Sequence, residues 1–186
     1  AKYAWTMEEE QSRRVREYCQ KRGTTPFAFF AALYTLLLSR LTGDEDLCVG
    51  TPVSGRSYPW LKDMVGMLVH PLPLRLRPAR TLAAREYLRQ ADSGVADLLD
   101  NQELPLEEIL SMAGVRRGAG ATPLYSALLS MRPVHVEALR FGSEPVCPEP
   151  LENGSAKLEL SLEIDAAPEG FRFCWEYASS LFEEET

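Results

Sequence analysis

Few residues in this 186-residue chain have types suited to catalysis. There are two histidines, His70 and His135, and four cysteines, Cys19, Cys48, Cys147 and Cys174. So low a histidine count argues against chemistry that needs a histidine pair within this chain. The cysteines are widely spaced and none forms a CxxC, so reduced thiols are expected rather than a zinc site or a redox pair. Ser54 lies beside Gly55, but no nearby histidine can be assigned as its base, and no serine sits in a GxSxG elbow. Gly118-Ala119-Gly120 lacks the third glycine of a nucleotide loop and follows no strand, so it reads as a flexible loop. Asn153-Gly154-Ser155 fits a glycosylation acceptor and reads as a turn. His70, in a proline-rich strand, reads as packed or hydrogen-bonded, and His135 as a solvated loop residue. Glu183, Glu184 and Glu185 read as a helix start or a solvated tail. On residue types alone, the chain carries no self-sufficient active site.

The elements that must position these residues follow from periodicity and punctuation. A first helix is predicted from near Met7, with Thr6 and Glu9 as a capping box, a narrow stripe of Val15, Tyr18 and Cys19, and a stop at Gly23. Thr25 caps a second helix with Pro26 at its first position, and Gly43 ends it. Its apolar stretch, Phe27 to Leu41, is interrupted by Thr35, Ser39 and Arg40 and falls short of the ~20 residues of a bilayer span, so it reads as a central helix buried on most faces. Leu47 to Val53 reads as a buried strand and Ser54-Gly55-Arg56 as the loop after it. Leu68 to Leu76 reads as an edge or irregular strand, because Pro71 and Pro73 remove ladder donors. Thr81 is the expected cap of a long helix from Leu82 to about Leu99, and Leu104-Pro105-Leu106 opens a short one that closes at Gly114. Leu124 to Met131 reads as a strand, and 132–156 as a long connection with little regular pattern. Leu158, Leu160, Leu162 and Ile164 alternate with polar residues, as do Phe171, Phe173, Trp175 and Tyr177. This predicts an antiparallel hairpin with Ala166 to Gly170 as its turn. The fold class is α/β, a two-layer sandwich of a mixed, largely antiparallel sheet with helices on one face.

Composition sets outer bounds. The chain is 45% apolar and 25% charged with a net charge of −7, ordinary for one globular domain. That field repels polyanions, so neither a nucleic acid nor an anionic membrane surface is an expected partner. The opening Ala-Lys-Tyr-Ala-Trp has no Met and no basic-then-apolar leader. The closing Leu181-Phe182-Glu183-Glu184-Glu185-Thr186 reads as the start of a helix. A cytoplasmic fragment of a longer protein, its last helix truncated, is the expectation.

Several stretches, in order along almost the whole chain, carry a family resemblance. They are Thr24-Thr25-Pro26-Phe27 with Leu41-Thr42-Gly43; Val49-Gly50-Thr51-Pro52-Val53-Ser54-Gly55-Arg56; and Val65-Gly66-Met67-Leu68-Val69-His70-Pro71-Leu72-Pro73-Leu74-Arg75, similar to VGxFVNTLPLR. Asn101-Gln102-Glu103-Leu104-Pro105-Leu106-Glu107 is similar to HQDLPFE. Arg117 through Tyr125 is similar to RDxSRNPLF, and Tyr177-Ala178 with Leu181-Phe182 to YxxxLF. The chain resembles the C-terminal half of condensation domains from nonribosomal peptide synthetases.

That resemblance implies half of a two-lobed fold related to chloramphenicol acetyltransferase. A tunnel runs between the lobes, and carrier proteins deliver a thioester and an amine on phosphopantetheine arms that act as tethers. No cofactor bound directly by this chain is expected. The family's HHxxxDG motif belongs to the other lobe, so residues 1–186 would be a C-terminal lobe with no catalytic residue of their own, and no metal. Ser54, Gly66 and His70 would face the tunnel, with Gly66 permitting close backbone approach. Arg56, Arg75, Gln102 and Pro105 would be structural, Arg75 through an ion pair. His70 and Pro71 replace the motif's asparagine and threonine, and Gly118-Ala119-Gly120 replaces its Asp-x-Ser. The implied function is amide-bond formation between carrier-bound thioesters, with one tunnel wall supplied here and no activity expected of the chain alone. The implied partners are the N-terminal lobe and donor and acceptor peptidyl carrier proteins. A homodimer of the isolated lobe, through an exposed apolar face or 132–156, is a further expectation. The alternatives are a non-catalytic docking or recruitment module and an epimerisation or heterocyclisation sibling.

Overall fold

The computed structural model describes residues 1–115, 124–133, 140–145 and 154–183. The order is β1 (Lys2–Thr6), α1 (Glu9–Arg22), α2 (Pro26–Thr42), β2 (Leu47–Val53), β3 (His70–Leu76), α3 (Ala84–Asp100), α4 (Leu106–Met112), β4 (Ala127–Pro133), β5 (Arg140–Phe141), β6 (Glu144–Pro145), β7 (Leu160–Ala167) and β8 (Gly170–Tyr177). Six strands form one sheet in the order β1-β8-β7-β4-β2-β3. The pairs β7–β4 and β4–β2 are parallel, and the three outer pairs antiparallel, so the sheet is mixed as expected. Among the described residues, β5 and β6 pair only with each other.

Alternation decides which face is covered. Leu162 and Ile164 of β7, Phe171 and Phe173 of β8, Leu129 of β4, Val49 of β2, and Leu74 and Leu76 of β3 share one face and one buried core. Onto it pack Phe30, Ala31 and Tyr34 of α2, with Tyr87, Ala91 and Val95 of α3. Leu74, Leu76, Leu129, Ile164 and Phe171 are essentially closed to water, and each such side chain contributes ~1.5–3 kcal/mol. Helix α2 is fixed at both ends. The Thr25 hydroxyl accepts from the Ala28 N–H at 3.1 Å, and Gly43 takes the left-handed conformation at φ 83°. Midway, the Thr35 hydroxyl donates to the Ala31 carbonyl at 2.6 Å and accepts from the Tyr87 hydroxyl at 2.5 Å, tying α2 to α3. One stripe of α2, Leu33, Leu37 and Leu41, stays exposed, while Ala28, Phe30 to Ala32, Tyr34, Thr35 and Ser39 are buried.

The opposite face is filled differently. Tyr125, buried, lies on Gly50 so closely that a Cβ there would run into its ring. Arg132 reaches Asp165 at 2.9 Å and Glu163 at 3.3 Å across the β4–β7 pair. At the Leu76 end of β3, Arg75 grips both carboxylate oxygens of Asp46 at 2.6 and 2.7 Å, and Arg77 adds a contact at 3.2 Å.

Several sequence expectations are corrected. The residues before α1 form β1, with Tyr3 opposite Trp175 and Trp5 stacked on Phe173 at 4.4 Å. Pairing with β8 draws Thr6 into the strand, so it caps nothing; Glu8 precedes α1 without a side-chain cap. The β7–β8 turn is two residues, Pro168 and Glu169, not five. Helix α1 enforces the tight turn, because Arg16 donates to the Ala167 and Pro168 carbonyls and Ser12 lies where a Cβ of Gly170 would sit 3.1 Å from its hydroxyl. Thr81 does not cap α3; Ala83 stands at that position, and the Glu86 carboxylate accepts from its N–H at 3.3 Å. The connection 132–156 holds the small β5–β6 hairpin, turned by Gly142 at φ 64°. His135, Cys147, Arg117, the Gly118-Ala119-Gly120 loop, Glu184 and Glu185 lie outside the described residues. No single helix among the described residues is long and apolar enough to cross a membrane.

Two predictions follow from these contacts. Gly50→Ala displaces Tyr125 and costs ~1–3 kcal/mol in urea unfolding; on a Tyr125→Ala background the same change costs less than about 0.5 kcal/mol. The Arg75 hydrogen bonds hold the Asp46 carboxyl down at about 2. A depressed carboxyl stabilises the fold above its unfolded value of ~4, and that contribution fades as pH falls toward 2. Asp46→Asn therefore flattens the acid limb of the stability profile in that window, measured by denaturant titration at stepped pH.

Candidate functional site

The residues singled out by motif converge at the end of β2 and the start of β3. Val53 pairs with His70, so the Ser54 turn leaves the sheet beside the histidine. Gly55 makes the turn at φ 62°, where a Cβ would collide with the Leu68 carbonyl oxygen. The exposed Ser54 hydroxyl accepts from the Arg56 N–H at 3.3 Å, which closes the turn locally. Arg56 then gathers the following loop. Its guanidinium donates to the carbonyls of Leu61, Met64 (2.9 Å) and Gly66 (3.4 Å).

The loop so gathered presents an apolar surface. Tyr58 stacks on Trp60 at 4.5 Å between ring centres around the 3₁₀ turn Pro59–Leu61. Trp60 is 68% exposed, Val65 101% and Met67 92%. Gly66 has open space where a Cβ would go, and its carbonyl takes the Arg56 contact.

A second loop, between α3 and α4, meets the first through two ties. The Tyr58 hydroxyl bonds the Glu103 carboxylate, which raises the phenol above its ordinary value. His70 Nε2 lies 2.8 Å from the Gln102 carbonyl oxygen, while its Nδ1 lies 3.1 Å from that of Leu68. The Gln102 side chain turns back to donate to Leu99 at 2.9 Å. Pro105 precedes α4, and its carbonyl accepts from Glu108 and Ile109 at 3.0 and 3.2 Å. Ser54, Arg56, Gly66, His70, Gln102 and Pro105 thus belong to one linked pair of loops, whereas Arg75 stays at the other end of β3 with Asp46. Sequence reading passed over Tyr58, Trp60 and Glu103. The one signal for the first two was a pair of aromatics flanking Pro59.

The chemistry of this arrangement is that of a wall. Its main-chain carbonyls are engaged by Arg56 and His70, its exposed surface carries Tyr58, Trp60, Val65 and Met67 beside Lys62 and Asp63, and its histidine faces main-chain carbonyls at both nitrogens. The described thiols are also poor nucleophiles. Burial pushes Cys48 up to about 11 and raises Cys19 and Cys174. Among the described residues no group of three or more His, Cys, Asp or Glu side chains is arranged to hold a metal ion.

Comparison with known proteins fits such a surface. The chain is 31% identical over 173 residues to tyrocidine synthase 3 of Brevibacillus parabrevis, a match covering 93% of this chain and 3% of that protein. It superposes on the first condensation domain of the CDA synthetase with a TM-score of 0.75 at 18% identity, covering all of this chain and 41% of that one. A TM-score of 0.86 at 19% identity relates it to a chain in the complex of the X-domain and OxyB from teicoplanin biosynthesis, 41% of which it covers. The chain therefore spans well under half of the proteins it matches. The model of the condensation domain matches residues 1–186, every residue of the sequence, and the chain belongs to the condensation domain family.

Proposed function

We propose that this chain is one lobe, the C-terminal one, of a condensation domain that forms amide bonds in nonribosomal peptide synthesis. The family match over residues 1–186 carries this reading. The linked loops around His70 support it, since they present the exposed apolar side chains of Trp60, Val65 and Met67 on a backbone gathered by Arg56 and His70. In the proposed reaction an amine on one carrier arm attacks the thioester carbonyl on another. A C–N bond forms, the C–S bond breaks, and the leaving thiol stays on its carrier while the amine proton departs to a base of the other lobe. The wall supplied here positions the two arms and excludes bulk water. Phosphopantetheine enters as the tether of each substrate. The N-terminal lobe and the donor and acceptor carriers are the proposed partners.

A second reading is a recruitment module without condensation activity. The observation that favours it is His70-Pro71 in place of the motif's Asn-Thr pair. Both readings meet in one experiment. A complete condensation domain with this chain as its C-terminal lobe, given two loaded carriers, forms dipeptidyl thioester by mass spectrometry, and the chain alone forms none. Turnover by the chain alone overturns the lobe assignment. Absence of product from a folded complete domain overturns condensation and leaves recruitment.

A further inference from the structure

His70 faces two carbonyl oxygens, Leu68 at 3.1 Å from Nδ1 and Gln102 at 2.8 Å from Nε2. A carbonyl oxygen offers only lone pairs. A neutral imidazole carries one N–H and one lone pair, so it satisfies one of these oxygens and sets its own lone pair against the other; an imidazolium donates to both. We propose that His70, doubly protonated, is a positioning residue that clasps the α3–α4 loop to the start of β3 and fixes the spacing between the Ser54 turn and Gln102.

The surroundings fit a clasp built on main chain. Gly55 leaves room for the Leu68 carbonyl that Nδ1 faces, since a Cβ there would collide with that oxygen. The strand partner of His70 is the apolar Val53. The ionisable side chains on the flanking segments are Arg56, Tyr58, Lys62 and Asp63 before β3, and Asp100 and Glu103 around the second loop. Arg56 is engaged with three carbonyls, and Glu103 with Tyr58. Glu103 adjoins the clasped residue Gln102 and places a carboxylate on the loop that the imidazolium holds. An asparagine at position 70 has a single amide group, with no second donor separated by a ring's width. The His70 departure then reads as a gain of a protonation-dependent tie. The consequence for a substrate wall rests on the function proposed above; the clasp itself does not.

Amide hydrogen exchange of the full 186-residue chain tests it. With intrinsic exchange rates divided out, protection of residues 101–104 is expected to be roughly threefold higher or more at about pH 5.5 than at about pH 8, the change that one net hydrogen bond supports. His70→Asn is expected to give the lower protection at both values, with no dependence on pH. A flat profile in the native chain overturns the clasp, and so does a pH dependence that survives in His70→Asn. The native profile decides without any variant, and neither measurement depends on whether the chain takes part in condensation.

Discussion

The close approach of α2 to the sheet is made by small side chains. Ala28, Ala31 and Ala32 are almost wholly buried, and they let the helix axis come near enough for Phe30 and Tyr34 to reach across to β8. Phe30 meets Phe171 and Phe173 edge to face at 4.9 and 5.3 Å, and Tyr34 meets Trp175 at 5.6 Å. The rest of the layer is referenced to this helix. Helix α3 is tied to it through Thr35 and Tyr87, and α1 reaches it through Tyr18 and Phe29. Replacing those alanines with larger residues would lift the helix and open a gap along its length, which is why a helix this apolar carries its bulk on selected positions.

Helices α2 and α3 pack on one face of the sheet, and loops close the end of β2 and the start of β3. The turn after β2 and the loop after α3 meet there. Their order comes from arginine, tyrosine and histidine side chains reaching for carbonyls and a carboxylate. An arrangement of this kind holds backbone in place at low cost in packed volume, and leaves aromatic and apolar side chains facing outward. For a domain expected to grip flexible substrate arms, a firm backbone under an apolar surface suits positioning better than a deep, rigid pocket does.

Much of the layer was legible because its signals are local. Thr25, Pro26 and Gly43 delimit α2 by their own backbone preferences, and the period-two run from Leu160 to Tyr177 needs no partner to be read. The misses share a different origin. β1 is five residues whose alternation is too short to register, and only pairing with β8 makes it a strand. Thr6 and Thr81 look like caps in isolation, but tertiary pairing moved one helix start and Glu86 served the other. The two-residue hairpin is set by Arg16 and Ser12, more than 150 positions away in the chain. The meeting of His70 with Gln102 spans 32 positions and runs through main-chain oxygen, which no side-chain pattern records. Apart from Arg75, the motif residues fall on one linked pair of loops; the contacts among them belong to the fold.

The pairing of Pro52 with Pro71 has a consequence for the sheet as a whole. Two residues without N–H groups face each other, so theirs is a non-hydrogen-bonded pair, and the nitrogens of Pro71 and Pro73 point to the outer margin of β3. That margin is short of donors. At the other end, Ala1 and Tyr177 exchange hydrogen bonds, which turns the N–H and C=O groups of Lys2, Ala4 and Thr6 outward. Among the described residues the sheet is therefore directional, with proline nitrogens along the β3 margin and a regular row of donors and acceptors along β1.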